Sequence, residues 1–338
     1  MPPSPAFFFP LPFRGRPMKI NAPLYSLNAG EVSKIAVGRV DIAKLRMAAE
    51  CQLNWLPYVV GPMMLRPGLV YSGEILDDSP AKLMRFVFSK LDTSMIELTA
   101  NQMRVWIDEV LLTRPSVGTE IQDPYFTNTG ANAGAWSTAN TTVGASVTIA
   151  KDATDDHGSC VLTCTPVGGL AQAQQTVNVS PAYQGLEHGI RIVITDGPVT
   201  LRVGSTAGAS DLIAQTVLDT GTHSLSCTPI SSSFTVQIES TDQWNKTLTQ
   251  CSIEAGGTVI LPTPWAAADL ANIRYDQSGD IVYVACYGQA PQMIQRRGVR
   301  PGARGWSVVL YKVNDGPFNN LPGRQIKIGI RGVSAGGV

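Results

Sequence analysis

The sequence predicts a mainly β protein: a strand-rich framework, one short helix near the N-terminus, and a central β-sandwich. Three observations carry this. Apolar residues recur at period two in short runs punctuated by Gly and Pro, as in Ile281-Val282-Tyr283-Val284-Ala285 between Gly279 and Gly288. Charged residues make up only 15% of the 338, against roughly 25% in average soluble domains, which suits β-rich chains that bury much surface in assemblies. Residues 119–257 then change texture. Ser, Thr and Gly dominate, and turn signals recur about every eight to twelve residues, the spacing of a β-sandwich.

Each element can be justified in order. The opening MPPSPAFFFPLPFRGRP has no basic residue before its apolar stretch, and prolines interrupt that stretch, which argues against a signal peptide. Residues 1–17 are expected to be a disordered tail or an upstream mis-assigned start. Residues 41–55 read as the helix: Asp41 can cap it, Ile42, Leu45, Ala48, Ala49 and Leu53 form a partial apolar stripe, and Trp55 and Pro57 end it. Strands are expected at 68–75, 84–91, 94–99 and 102–107, the last two joined by a hairpin at Ala100-Asn101. That meander fits one sheet or a propeller blade. A short helix is allowed at 266–272, after Pro264, and two or three strands at 269–311.

Charge is distributed unevenly. Residues 119–257 hold 4 basic and 12 acidic residues, a net of −8; with 26 of each in the whole chain, the remainder carries +8. Such a split suggests modules with different surroundings. No apolar run is long enough to span a membrane. The six cysteines form no CxxC pair, and only three histidines exist, so small buried residues in a reducing cytosol are expected rather than a zinc site or disulfides. Asp152, Asp155, Asp156 and His157 form an acidic loop without the spacing of an EF-hand, read as a solvated turn rather than a calcium site. No Gly-x-Ser-x-Gly elbow, P-loop, His-Glu-x-x-His or dinucleotide fingerprint occurs. Glu187-His188 lies near Ser180 with no third partner, so no catalytic residue, metal or cofactor is assigned.

The segment DLANIRYDQSGDIVYVACYGQAPQMIQRRGVRPGARGWSVVLY, residues 269–311, contains Asp269, Leu270, Tyr275, Gln277, Ser278, Asp280, Pro291, Arg296 and Trp306 at the positions of a signature. It resembles the tail nozzle proteins of short-tailed bacteriophages. Asn28-Ala29-Gly30-Glu31, Gly38-Arg39, Asp41 and Arg66-Pro67-Gly68 match a second block of that family in the right order. Pro62-Met63-Met64 departs from it, where glycines and basic residues are more usual. In the family, the strand ending near 112 is followed shortly by a Thr-Pro-x-x-x-x-Asp-Leu segment, here Thr263, Pro264, Asp269 and Leu270. The resemblance therefore implies that the sandwich interrupts a discontinuous framework: 18–118 is its first part, 119–257 the insert, and 258–338 its second part. Family members are commonly longer, with further strands after an Asp-Gly-Pro-Phe step, here Asp315, Gly316, Pro317 and Phe318.

Phe126, Asn128, Gly134, Trp136, Gln175, Val177 and Tyr183 give the insert a looser similarity to the jelly rolls of carbohydrate-binding modules. In such modules aromatic rings offer apolar faces to sugar C–H groups, while amides and carboxylates bond the hydroxyls. The candidates for this are Trp244, Tyr183, Tyr125 and Asp242, with Trp136 read as a core residue. Arg296, Arg297, Arg300 and Arg304, in the loop-like RRGVRPGARG, are candidates for a subunit contact or for DNA phosphates.

The resemblance implies a non-catalytic structural subunit of a virion tail, assembled in the host bacterial cytoplasm. Its expected partners are further copies of itself in a ring, typically six-fold, then portal, adaptor and other tail proteins, and double-stranded DNA passing without sequence specificity. The alternative is a carbohydrate-binding module that recognises a host surface through its glycans. An enzyme is the least supported class.

Overall fold

The computed structural model describes residues 26–37, 39, 41–139, 141–153, 157–164, 169–298 and 304–312. Residues 1–17, Asp155, Asp156, Arg300 and the Asp315–Phe318 step lie outside them. The chain divides into two units, Met1–Tyr71 and Ser72–Val338.

In the first unit, Gly30–Glu31 pairs in parallel with Ala48–Ala49, and Trp55–Pro57 forms an antiparallel hairpin with Met63–Leu65. Among the described residues of this unit, helical backbone is confined to Lys34–Val37 and a 3-10 turn at Ala43–Met47. The helix expected over 41–55 therefore does not form. Asp41 does not cap it, because its carboxylate is held by Arg39 at 2.6 and 2.8 Å. Ile42 and Leu53 of the apolar stripe are exposed. Without a surface to pack on, a short helix lacks the term that stabilises most helices. Nor is 68–75 a strand: the segment has no ladder partner, and Gly73 lies so close to the Trp106 indole that a Cβ there would fall 2.4 Å from the ring.

Among its described residues, the second unit is built from sheets of nine, four and five strands and one short two-stranded ladder. A hairpin meander of β1 (Lys82–Ser89), β2 (Asp92–Thr99) and β3 (Gln102–Ile107) turns between β2 and β3 at Asn101, which takes φ 58°. Nine strands then follow within 119–257: β4 (Ala145–Lys151), β5 (Gly158–Cys164), β6 (Ala171–Asn178), β7 (His188–Asp196), β8 (Val199–Gly204), β9 (Ile213–Leu218), β10 (Gly221–Cys227), β11 (Ser233–Ser240) and β12 (Lys246–Ile253). A second meander follows: β13 (Arg274–Ser278), β14 (Ile281–Ala285), β15 (Gln292–Arg297) and β16 (Gly305–Leu310). The stretch expected to hold two or three strands thus holds four.

One core draws on residues from both sides of 119–257. Met84, Phe86, Ile96, Leu98, Met103 and Val105 from the first meander pack with Val282, Val284, Ile294, Trp306 and Val308 from the second. Leu261–Pro262 also joins the first sheet beside β3. The chain enters and leaves the insert through a two-residue ladder, Thr113–Arg114 against Gly257–Thr258. Gly256 is required there, since a Cβ would meet the Ser116 backbone at 2.6 Å.

Within the insert, β5-β12-β7-β10 form one sheet and β6-β11-β8-β9 the other. The strand order within these two sheets is consistent with a jelly roll. Their inner faces enclose a separate core that includes Phe126, Trp136, Leu162, Ile192, Leu201, Phe234 and Ile238. One feature departs from an appended module. β10 pairs with β16 over four residues, Gly221–Ser224 against Val309–Trp306, so the first jelly-roll sheet runs on into the second meander as nine strands.

Candidate functional site

Period-two alternation on β15 turns Ile294 and Arg296 to one face, into the framework core. The Arg296 side chain is 1% exposed. It bonds Asp280 at 2.8 Å, pairs with Asp92, and lies 4.9 and 5.0 Å from the ring centres of Phe86 and Phe88. Phe86 in turn meets Trp306 edge-on at 5.2 Å. Nearby, the Gln277 amide donates to the Val87 carbonyl and accepts from its N–H, both at 3.0 Å. It thereby takes the place of a strand along the open edge of β1. Lys82 reaches across the same gap to the Ile273 carbonyl at 2.9 Å. These contacts tie the two framework meanders together.

A second polar cluster lies where insert and framework meet. Arg114, fully buried, donates to Glu187 at 2.5 Å, Glu254 at 3.1 Å, Ser224 at 3.2 Å and the Arg304 carbonyl at 3.0 Å. Arg191 also binds Glu254, and Arg304 binds Glu187 at 2.8 Å. Beside this cluster, the Asp219 carbonyl accepts from His223 Nε2 at 2.9 Å, so Nδ1 accepts the Ser307 hydroxyl at 2.8 Å. Burial pushes the imidazole pKa down to about 3; the Asp219 bond opposes this and the Arg297 charge adds to it.

Arg296 is thus buried, Arg297 half-buried and Arg304 42% exposed, each with partners inside the chain, and Arg300 lies outside the described residues. Arg296 is a core ion pair. Arg297 donates to Thr216 and the Val217 carbonyl on β9, both at 3.0 Å, and burial lowers its pKa. Arg304 holds Glu187. A free arginine patch for DNA or a neighbouring subunit is not what these three side chains form. Sequence reading took RRGVRPGARG as a loop, whereas its first arginines complete β15.

The glycan candidates do not converge. Trp244 is 53% exposed, in the β11–β12 turn. Asp242 lies two residues before it and accepts the Trp244 N–H at 3.1 Å. Tyr183 follows β6, at the end of β11 where Ser232 accepts the Val179 N–H; its ring packs over Gly118. That is one length of the eight-residue β11 away from Asp242, about 25 Å at ~3.3 Å per residue. Tyr125 accompanies the start of β5, while the Asp242 turn adjoins its end at Cys164. Tyr125 meets His157 edge-on at 4.4 Å, beside a 480 Å³ groove that Ser159, Val193, Thr249 and Gln250 also line. Val193 and Gln250 border a second, 330 Å³ groove leading to Arg191 and Thr222. Sequence reading missed this polar face; recurring Ser, Thr and Gln on β5, β10 and β12 were its signal.

Catalytic geometry is not assembled at Glu187-His188. Glu187 is held by two arginines, and the ring nitrogens of buried His188 meet Thr119 Oγ1 at 2.8 Å and the Leu186 carbonyl at 2.9 Å. Trp136 is buried, its indole N–H bonded to the Asp123 carbonyl at 3.1 Å. All six cysteines are free; five are buried and Cys51 is exposed. Among the described residues no group of His, Cys, Asp and Glu could hold a metal ion, and no helix is long and apolar enough to cross a membrane. No protein-family model matches the chain, and no curated protein matches it.

Proposed function

We propose that the chain is a non-catalytic structural subunit of a bacteriophage tail: a nozzle or hub ring component that helps form the DNA exit channel and displays its jelly roll. One observation supports this reading above the others. The signature residues Gln277, Asp280, Arg296 and Trp306 converge on the joint between the two framework meanders, where they hold sheets together. The task of such a framework is mechanical. In a closed ring each subunit presents two different surfaces that must meet, and a fixed joint keeps both in register while DNA passes. Portal, adaptor and other tail proteins would flank the ring, and the virion is the proposed location.

Reconstruction of particles purified from producing cells tests this. Density for the chain in a symmetric ring at the tail is the expected result. Well-resolved tails that lack the chain would overturn it.

A second reading is favoured by the grooves around Tyr125, Val193 and Gln250. An exposed ring beside a hydroxyl- and amide-lined sheet face suits a neutral glycan, and host-surface recognition by the insert is compatible with a tail location. Saturable oligosaccharide binding lost in Tyr125→Ala would support it. Binding that survives this change, or none to any host glycan, would remove it.

A further inference from the structure

An antiparallel sheet with one face on a core usually turns polar residues outward on the other. The first meander does not. Its core face carries Met84, Phe86, Ile96, Leu98, Met103 and Val105, so alternation turns Leu83, Val87, Met95 and Trp106 to the opposite face. There Leu83, Val87 and Met95 are 52%, 47% and 38% exposed. With Trp106 they floor a groove of 620 Å³, within the size range of ligand sites.

The groove is held open by a buried polar hub. Residues 72–76 form one wall, where Arg104 donates to the Glu74 carbonyl at 2.8 Å and Glu97 accepts the Leu76 N–H at 3.1 Å. Arg104 and Glu97 are themselves a buried ion pair, and the Trp106 indole N–H donates to Glu97 at 2.8 Å. The rim is acidic. Glu74, Asp108 and Glu109 line it with carboxylates that have no partner among the described residues, and Arg85 is the cation among the lining residues. Arg85 stands opposite Met95, and Met95 opposite Trp106, which puts Arg85 about 10 Å from Trp106 at the usual strand spacing. Asp108 and Glu109 make the two-residue turn between Ile107 and Val110 with φ of 49° and 65°. Asn-Gly is the favoured pair there, so the turn accepts backbone strain and keeps two carboxylates at the rim.

We propose that this groove binds an extended segment of another protein in which apolar and basic residues alternate. The half-exposed floor covers one side of an occupant and leaves the other in water, which suits an extended chain better than an enclosed small molecule. From Arg104 to Asp108, β3 gives the groove a length of about 13 Å, four residues of such a chain. Apolar side chains at period two would face Met95 and Trp106, while long Lys or Arg side chains would snorkel to the rim. The acidic rim selects a basic partner and disfavours an acidic one. Nothing in this inference depends on the tail reading.

Isothermal titration calorimetry of the full chain tests it, with end-blocked Lys-Val-Lys-Val-Lys as the probe and end-blocked Glu-Val-Glu-Val-Glu as its control. The lysine peptide should bind saturably and the glutamate peptide should not. Asp108→Asn with Glu109→Gly should weaken binding about ten-fold. Because this pair suits the turn, its urea midpoint should be no lower than that of wild type, so lost binding cannot be lost folding. Leu83→Asn should weaken binding about three-fold, and Arg85→Gln should leave it unchanged or tighten it. Absent binding of the lysine peptide, equal binding of both peptides, or a turn variant that binds like wild type would overturn the proposal. So would end-blocked lysine alone binding as tightly as the pentapeptide, which would mark a site for small amines. A turn variant that changes the sedimentation of the chain by itself would make the occupant a second copy and would also overturn it.

Discussion

His223 gives the clearest quantitative handle on the seam between insert and framework. Its unfolded pKa is 6.5 and its folded value about 3. Above pH 6.5 both states are neutral and the group contributes no pH dependence. Between pH 6.5 and 3 the unfolded chain binds a proton that the native chain refuses, so stability falls as pH falls, by up to about 1.4 kcal/mol per unit. At pH 5 the loss is about 2 kcal/mol, and it saturates once pH drops below 3. The cause is specific: protonating Nδ1 removes the acceptor of the Ser307 hydroxyl and leaves a buried cation near Arg297. The assay is urea unfolding followed by tryptophan fluorescence from pH 7 to 5, for wild type and His223→Gln. Glutamine does not titrate, so whatever it costs at pH 7 it should cost about 2 kcal/mol less at pH 5. A difference between the two proteins that stays constant over this range would refute the reasoning.

Four further outcomes are expected. Arg296→Met removes the buried cation that pairs with Asp92 and Asp280 and should destabilise by about 3–5 kcal/mol, read as a lowered urea midpoint. Gln277→Ala removes three side-chain hydrogen bonds at a solvated edge, two to Val87 and one to the Gly279 carbonyl, and should cost about 1 kcal/mol in the same measurement. Burial raises the Cys160 and Cys227 thiols from 9.0 to about 12, with Arg114 lowering and Glu187 raising the latter. Each therefore keeps its full contribution below pH 9 and should lose about 1.4 kcal/mol by pH 10, a loss that Cys160→Ser and Cys227→Ser variants should lack. Because β10 and β16 share a ladder, calorimetry should give one transition for framework and insert; two separated transitions would show that they melt as independent modules.

Local pattern was legible, and distant pairing was not. β2, β3 and β14 follow from alternation within a few residues, and the boundaries of the insert follow from composition, with Arg114 and Gly257 meeting where the texture changes. Trp136 was readable as core from its Gly-x-Trp step. The helix at 41–55 failed because a stripe says nothing about whether a packing partner exists, and Ile42 and Leu53 face solvent. Gln277 lies 190 residues from Val87, and Arg296 lies 204 from Asp92. No periodicity encodes such contacts. The arginines were misplaced for the same reason: Gly and Pro after Arg297 mark a loop, while the inward turn of Arg296 depends on the strand before it.

The charge asymmetry shows what this does to functional inference. A framework at +8 and an insert at −8 invite the idea that the positive part awaits DNA or a neighbouring subunit. At the seam the opposite happens. Arg114 and Arg304 of the framework close on Glu187 and Glu254 of the insert, and Arg297 bonds β9 while the Asp219 charge supports its own. Arg114 is desolvated and all three are matched by partners within the chain, so they release few counterions to a passing duplex. They fix the jelly roll against the framework instead, alongside the β10–β16 ladder and the His223–Ser307 bond. For the proposed ring subunit that is the more useful arrangement. A jelly roll joined by one continuous sheet and a buried ion network passes a force at its tip into the framework, whereas one hung on a flexible linker would dissipate it in the hinge.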